Sequence, residues 1–146
     1  MGTLSEVVTD PAKRPAIIAD CEILINEEVK AKKGFTGMAV KTGFKAIKRF
    51  KPDIVPKAMD DLLDEFSEQI DPFWKTCQES GQPPRRFFES NKRKIADALL
   101  SVTDKRAGAS KHKILVSAYR NLRGKAVDHI GDAMPRFSDL LVKHAS

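Results

Sequence analysis

Apolar residues recur along this chain every three or four positions and nowhere alternate with period two over a strand's length, so the pattern predicts an all-α fold. Asp10-Pro11 supplies a helix-start signal, an acceptor side chain before a proline. Pro15 follows closely, so regular helix is expected from there. Ile17, Ile18, Cys21, Leu24, Ile25 and Val29 then form one stripe. Lys30, Lys32 and Lys33 crowd the last turn, where cations suit the helix dipole, and Gly34 can end it. A second helix is predicted over about 37–50, with Val40, Phe44 and Ile47 inward and Gly43 permitting close packing. Pro52 ends it. The third carries Val55, Met59, Leu62, Phe66, Ile70, Phe73 and Cys77, with Leu63 and Trp74 beside them. Pro72 predicts a kink or a fresh start at Asp71-Pro72.

Ser80-Gly81-Gln82-Pro83-Pro84 is a clear break. A fourth helix should place Phe87, Phe88, Ile95, Leu99 and Val102 inward until Ala107-Gly108. Ser110 can cap a fifth, with Leu115, Ala118, Tyr119 and Leu122 inward. A sixth carries Val127, Ile130, Met134, Phe137 and Leu141, with Pro135 as a kink.

These six helices read as one phrase written twice. Ile18-Ala19-Asp20 recurs as Ile95-Ala96-Asp97, and beyond a shortened loop Phe44, Lys45, Ile47 and Lys48 correspond to Tyr119, Arg120, Leu122 and Arg123. Ala58-Met59 corresponds to Ala133-Met134. Charge follows the same register: seven basic residues and no acid from Val29 to Phe50, and again from Lys105 to Lys125. The expectation is a single helical domain of two pseudo-two-fold three-helix units, about 11–79 and 85–146, joined by a linker at about 80–84.

Length agrees with one domain, since domains cluster at roughly 100–150 residues. A formal net charge of +6 favours acidic partners. No apolar run approaches the roughly 18 residues of a membrane span, no apolar stretch follows Met1, and Glu6 stands where a myristoylation motif wants Ser or Thr. A cytoplasmic protein is expected. Cys21 and Cys77 lie on apolar stripes without metal-ligand spacing and read as reduced, buried thiols.

DPAKRPAIIAD, GFTGMAVKTGFKAIK, the KP at 51–52, PFW at 72–74, ALLSVTD at 98–104 and YRNLRGKA at 119–126 resemble an uncharacterised family of small bacterial proteins, a domain of unknown function. The resemblance spans about residues 10–145. It implies a bacterial, self-contained domain and supplies no activity, cofactor or catalytic residue.

The residues themselves offer little chemistry. Asp60, Asp61, Asp64, Glu65 and Glu68 read as a solvated acidic face, because the Glu-x-x-His pairs of di-metal bundles are missing. His112, His129 and His144 share no ligand spacing. No phosphate-binding glycine motif and no nucleophile–base pair stands out. No enzyme, cofactor or metal is therefore expected. The candidate site is basic: Lys41, Lys45 and Lys48 lie on one stripe of the second helix with Arg49 beside them, and Arg120 and Arg123 hold matching places on the fifth. Lys33, Gly34, Thr36 and Gly37 lead into the second helix as a possible phosphate-binding turn, with Gly108-Ala109-Ser110-Lys111 as its counterpart. The sequence thus predicts a non-enzymatic interaction module with basic faces for an acidic macromolecule, protein or nucleic acid. Nucleic-acid backbone binding through those faces is one alternative. The other is a carrier with an apolar cavity between the halves, lined by Phe66, Phe73, Trp74 and Phe137.

Overall fold

The computed structural model describes residues 3–145, apart from the side chain of Thr36. Nine helices and no strand occur among them: α1 Leu4–Thr9, α2 Arg14–Ala31, α3 Gly34–Phe50, α4 Ile54–Ser80, α5 Pro84–Ser90, α6 Lys92–Ala109, α7 Lys113–Arg123, α8 Ala126–Asp132 and α9 Met134–Ala145. The all-α expectation holds; the helix count of six does not. Helix α1 went unread, the fourth predicted helix divides at Asn91 into α5 and α6, and the sixth divides at Ala133 into α8 and α9.

Each departure has a physical cause. Helix α1 has six residues, too few to be stable alone. It exists because α4 caps it. The Asp71 carboxylate accepts from Leu4 N at 2.5 Å, Ser5 N at 3.4 Å and Ser5 Oγ at 2.7 Å. Thr3 Oγ1 accepts from Glu6 N, while Leu4 and Val8 are buried. Asn91 Nδ2 donates to the carbonyl of Phe87 at 2.8 Å, closing α5 with its own side chain.

Pro72 neither breaks α4 nor restarts it: the helix runs 27 residues through it. A proline removes one backbone hydrogen bond. On either side Ile70, Trp74 and Cys77 are buried, and their packing holds the axis together. Gly81, at φ 73°, ends the helix in the left-handed region that glycine favours. Ala107-Gly108 likewise fails to break α6, which continues to Ala109. Ser110 does not cap α7; its Oγ accepts from His112 N at 3.2 Å, and His112 is the N-cap.

Helix α4 packs against α1, α2 and α6, α9 against α5 and α2, and α6 against α8. The main core joins Ile70, Trp74 and Cys77 of α4 to Phe88, Ile95 and Met134. A smaller cluster joins Val8, Ile17 and Leu63. Helices α3 and α7 pack on each other at the edge of this bundle, and no side chain of α7 is fully buried.

The acidic face of α4 is not merely solvated. Arg14 Nε reaches Asp60 at 2.8 Å, Nη1 reaches Asp64 and the Val8 carbonyl at 2.9 Å each, and Nη2 reaches the Asp60 carbonyl at 2.6 Å. Arg106 Nε meets Glu65 at 3.1 Å. These carboxylates clamp α1, α2 and α6 to α4. Replacing Asp71 with Ala should release α1. We expect a cost of about 1–2 kcal/mol, the range of a lost N-cap. Amide exchange should accelerate over residues 4–9 before any global loss of structure. Unchanged protection there would mean that Leu4 and Val8 alone hold α1 down.

Candidate interaction surface

Helices α3 and α7 contain no acidic residue. Their inner faces carry Val40, Phe44 and Ile47, and Leu115, Tyr119 and Leu122, all half-buried over the bundle. With those positions turned inward, the helical repeat places Lys41 and Lys45 on the flank of α3 away from α7. It places Arg120 on the flank of α7 away from α3, while Lys113 borders the space between the two helices. The packing of α3 on α7 therefore brings the two basic stretches of the sequence into one layer.

Between the helices runs an open groove. Its floor is made of small residues, Ala39, Thr42, Gly43 and Ala46 of α3 with Ser117 and Ala118 of α7. Phe35, Met38 and Ile114 also line it, exposed by 96%, 68% and 55%. Single exposed apolar residues are unremarkable; three along one groove between basic flanks form a patch.

The candidate basic residues have different fates. Lys41, Lys45, Arg49 and Arg120 are exposed, and none has an ion-pair partner among the described residues. Lys48 is half-buried, with Nζ 5.2 Å from the Phe44 ring centre, a cation–π distance. Arg123 is committed elsewhere: its Nε donates to Asp104 Oδ1 at 2.9 Å and its Nη2 to Oδ2 at 3.1 Å. Arg123 first, and then the Tyr119 hydroxyl, hold the Asp104 carboxyl below its ordinary value. Arg123 thus ties α7 to α6 rather than facing a partner.

Sequence reasoning missed Phe35, Met38 and Ile114. A signal existed: the inner stripe of the second helix was already complete without Phe35 and Met38. Two large apolar side chains outside a finished stripe are surplus to the core.

In the predicted phosphate turn, Lys33 is exposed and Gly34, at φ 73°, opens α3, while the side chain of Thr36 lies outside the described residues. Gly37 is buried for a packing reason: a Cβ there would lie 2.7 Å from the Lys32 carbonyl carbon. Gly43, expected to permit close packing, is less constrained, since its Cβ would meet Leu122 at an ordinary 3.7 Å. Gly37→Ala should therefore destabilise by about 1–3 kcal/mol, the cost of forced overpacking. Gly43→Ala should stabilise by about 0.5–1 kcal/mol, because mid-helix glycine loses more backbone freedom than alanine. Urea unfolding of both variants checks the opposite signs; two changes of the same sign would refute the packing distinction.

The remaining candidates scatter. Cys77 is buried and Cys21 half-buried; both are free, and burial pushes the Cys21 thiol up to about 11. His144 Nε2 lies 2.7 Å from Asp20, and His112 is exposed. Of the four aromatics proposed to line a cavity, Phe66 and Phe137 do so. Trp74 instead stands edge-on to Phe88 in the core, with Phe73 packed against that core. No helix among the described residues is long and apolar enough to cross a membrane.

A family model described as "Family of unknown function (DUF6918)" matches residues 4–145. No curated protein matches the chain. No solved structure matches it either.

Proposed function

The chain belongs to this family of unknown function, and from that premise we propose that it is a non-enzymatic interaction module whose α3–α7 groove binds an acidic amphipathic helix of a partner protein. One observation carries the reading: the packing of α3 on α7 sets an apolar groove between two basic flanks. A helix carrying leucine-like side chains on one face and carboxylates at its margins complements that groove in shape and charge. Nucleic acid would use the flanks but leave Phe35, Met38 and Ile114 without a role. A membrane would meet the flanks but not a concave floor of small residues.

Internal duplication belongs to the same proposal. Helices α1 on α4 and α5 on α9 form matching pairs, as do α2 on α4 and α6 on α8. The α3–α7 contact then joins equivalent helices, and Lys45 and Arg120 flank the groove at equivalent positions. Such a groove reads nearly the same in both directions, so it suits a helix with acidic residues along both margins.

The test is a titration of the protein with a labelled Glu/Leu amphipathic helical peptide of about 20 residues. A peptide with Gln for every Glu, duplex DNA and anionic phosphatidylglycerol vesicles are run beside it. Binding of the Glu peptide should be tightest and should weaken steeply with salt. Tighter binding to DNA or vesicles would replace the partner class, and binding of the Gln peptide equal to the Glu peptide would remove the role of charge. If none of the four binds, the interaction reading fails.

A further inference from the structure

The buried side chains of the bundle fall into two clusters, and the space between them is not filled. A cavity of about 210 Å³ has Leu4, Ile70 and Leu141 of the larger cluster and Val8, Ile17 and Leu63 of the smaller one in its wall. Leu24, Ile25, Phe66 and Leu99 lie on inward stripes yet are only half-buried, because they border this space. Protein interiors hold few voids larger than a water molecule. In a chain of 146 residues a gap of this size forfeits contacts that a guest of matching shape would restore. A dry apolar cavity of roughly 150 Å³ is already enough to take up benzene.

The wall decides the chemistry of the guest. Its surface is apolar almost throughout. Ser67, Thr103 and His144 contribute side chains with oxygen or nitrogen, and each already has a partner. Ser67 Oγ donates to the Asp64 carbonyl at 2.8 Å, Thr103 Oγ1 lies 2.8 Å from the Tyr119 hydroxyl, and His144 Nε2 lies 2.7 Å from Asp20. Cys21 also lines the space, and a buried thiol behaves as a small hydrophobe. A water held inside a protein needs roughly two to four polar partners, which this wall does not offer. A hydroxyl, amide or carboxylate entering it would give up its hydration and gain nothing in exchange. A hydrocarbon carries no such penalty.

We infer that the central cavity is a binding site for a compact neutral hydrocarbon, about the bulk of a dimethyl-substituted benzene ring or a cyclic terpene. Its wall comes from α1, α2, α4, α6, α8 and α9. No residue of α3 or α7 contributes to it, so the site is separate from the groove.

The experiment titrates the intact protein with p-xylene and with p-cresol, which has the same shape but a hydroxyl in place of one methyl. Binding is read by NMR on protein labelled at the methyl groups of Ile, Leu and Val. Bound p-xylene should show intermolecular NOEs to the methyls of Val8, Ile17 and Leu63, and none to Ile114 in the groove. It should bind at least about tenfold more tightly than p-cresol, whose hydroxyl is left without a partner. Cys21→Phe, which pushes a ring into the cavity from its wall, should stay folded and lose p-xylene binding. The site assignment fails if the parent does not bind p-xylene up to its solubility limit, or if the NOEs arise from Ile114 rather than from the cavity methyls. It fails equally if p-cresol comes within that tenfold factor, or if folded Cys21→Phe binds p-xylene as the parent does. Should that variant unfold, the NOEs and the p-xylene preference of the parent decide.

Discussion

Replacing Phe88 with alanine should cost about 3–5 kcal/mol of folding free energy, the range for emptying a buried phenylalanine site. Phe88 is fully buried. Its ring lies edge-on to Trp74 at 6.3 Å and tilted against Phe87 at 5.8 Å and Phe137 at 5.7 Å. It therefore sits where α4, α5 and α9 converge, and three helices pinned by other contacts cannot all collapse into the space. Small domains are stable by only about 5–15 kcal/mol, so the loss is a large share of the total. Phe35→Ala is the control: that side chain is nearly all in solvent, and its loss should move stability by no more than about 0.5 kcal/mol. Urea unfolding followed by the fluorescence of Trp74 measures both. A cost at Phe88 below about 1 kcal/mol would mean that the core relaxes around the gap and that its aromatic contacts add little.

Reversing the charge of Lys41, Lys45 and Arg120 to glutamate should lower affinity for the acidic amphipathic peptide at least about 100-fold at low salt. The three residues are exposed on α3 and α7, do not line the groove floor, and have no ion-pair partner among the described residues. Stability should change little, because exposed substitutions usually stay within about 0.5 kcal/mol each. Lys48 and Arg123 are left in place on purpose. Lys48 sits over the Phe44 ring, and Arg123 holds Asp104, so reversing either would disturb packing as well as charge. The variant's residual binding should also lose most of its salt dependence, since little attraction remains to screen. Affinity within a few-fold of the parent would show that the flanks do not meet the partner. A melted variant would show that these side chains are structural.

The two variants probe different layers of one design. The core that holds Phe88 lies where α4, α5 and α9 meet, away from α3 and α7. The helix pair rests on the bundle through half-buried side chains only, over unfilled space. A peripheral layer with few fully buried contacts is where motion costs least. The groove is bounded by that layer.

The chain's local chemistry was enough to identify an all-helical protein and most of its helix ends. Pro15, Pro52, Gly81 and the apolar stripes act within one or two turns, so their consequences follow from neighbours in sequence. The merging of charge was legible only in half: the two acid-free stretches could be counted, but not that α3 would lie against α7. Arg123 shows the limit at a single residue. Its spacing matched Lys48, yet Asp104, from a different helix, took it out of the candidate surface.

Tertiary structure decided the rest, because the deciding partners are far apart in the chain. Helix α1 exists through Asp71, more than sixty residues away, and six residues carry no periodicity strong enough to announce it. Pro72 predicts a kink or a fresh start by local rules, and the helix nevertheless runs through it where Ile70, Trp74 and Cys77 are buried. The acidic stripe of α4 reads as a wet surface until Arg14 and Arg106 arrive from other helices. Composition and periodicity determined that this chain is a bundle with two basic stretches. Only packing determined that α3 and α7, which carry much of those stretches, lie against each other, since that depends on which helix lies beside which.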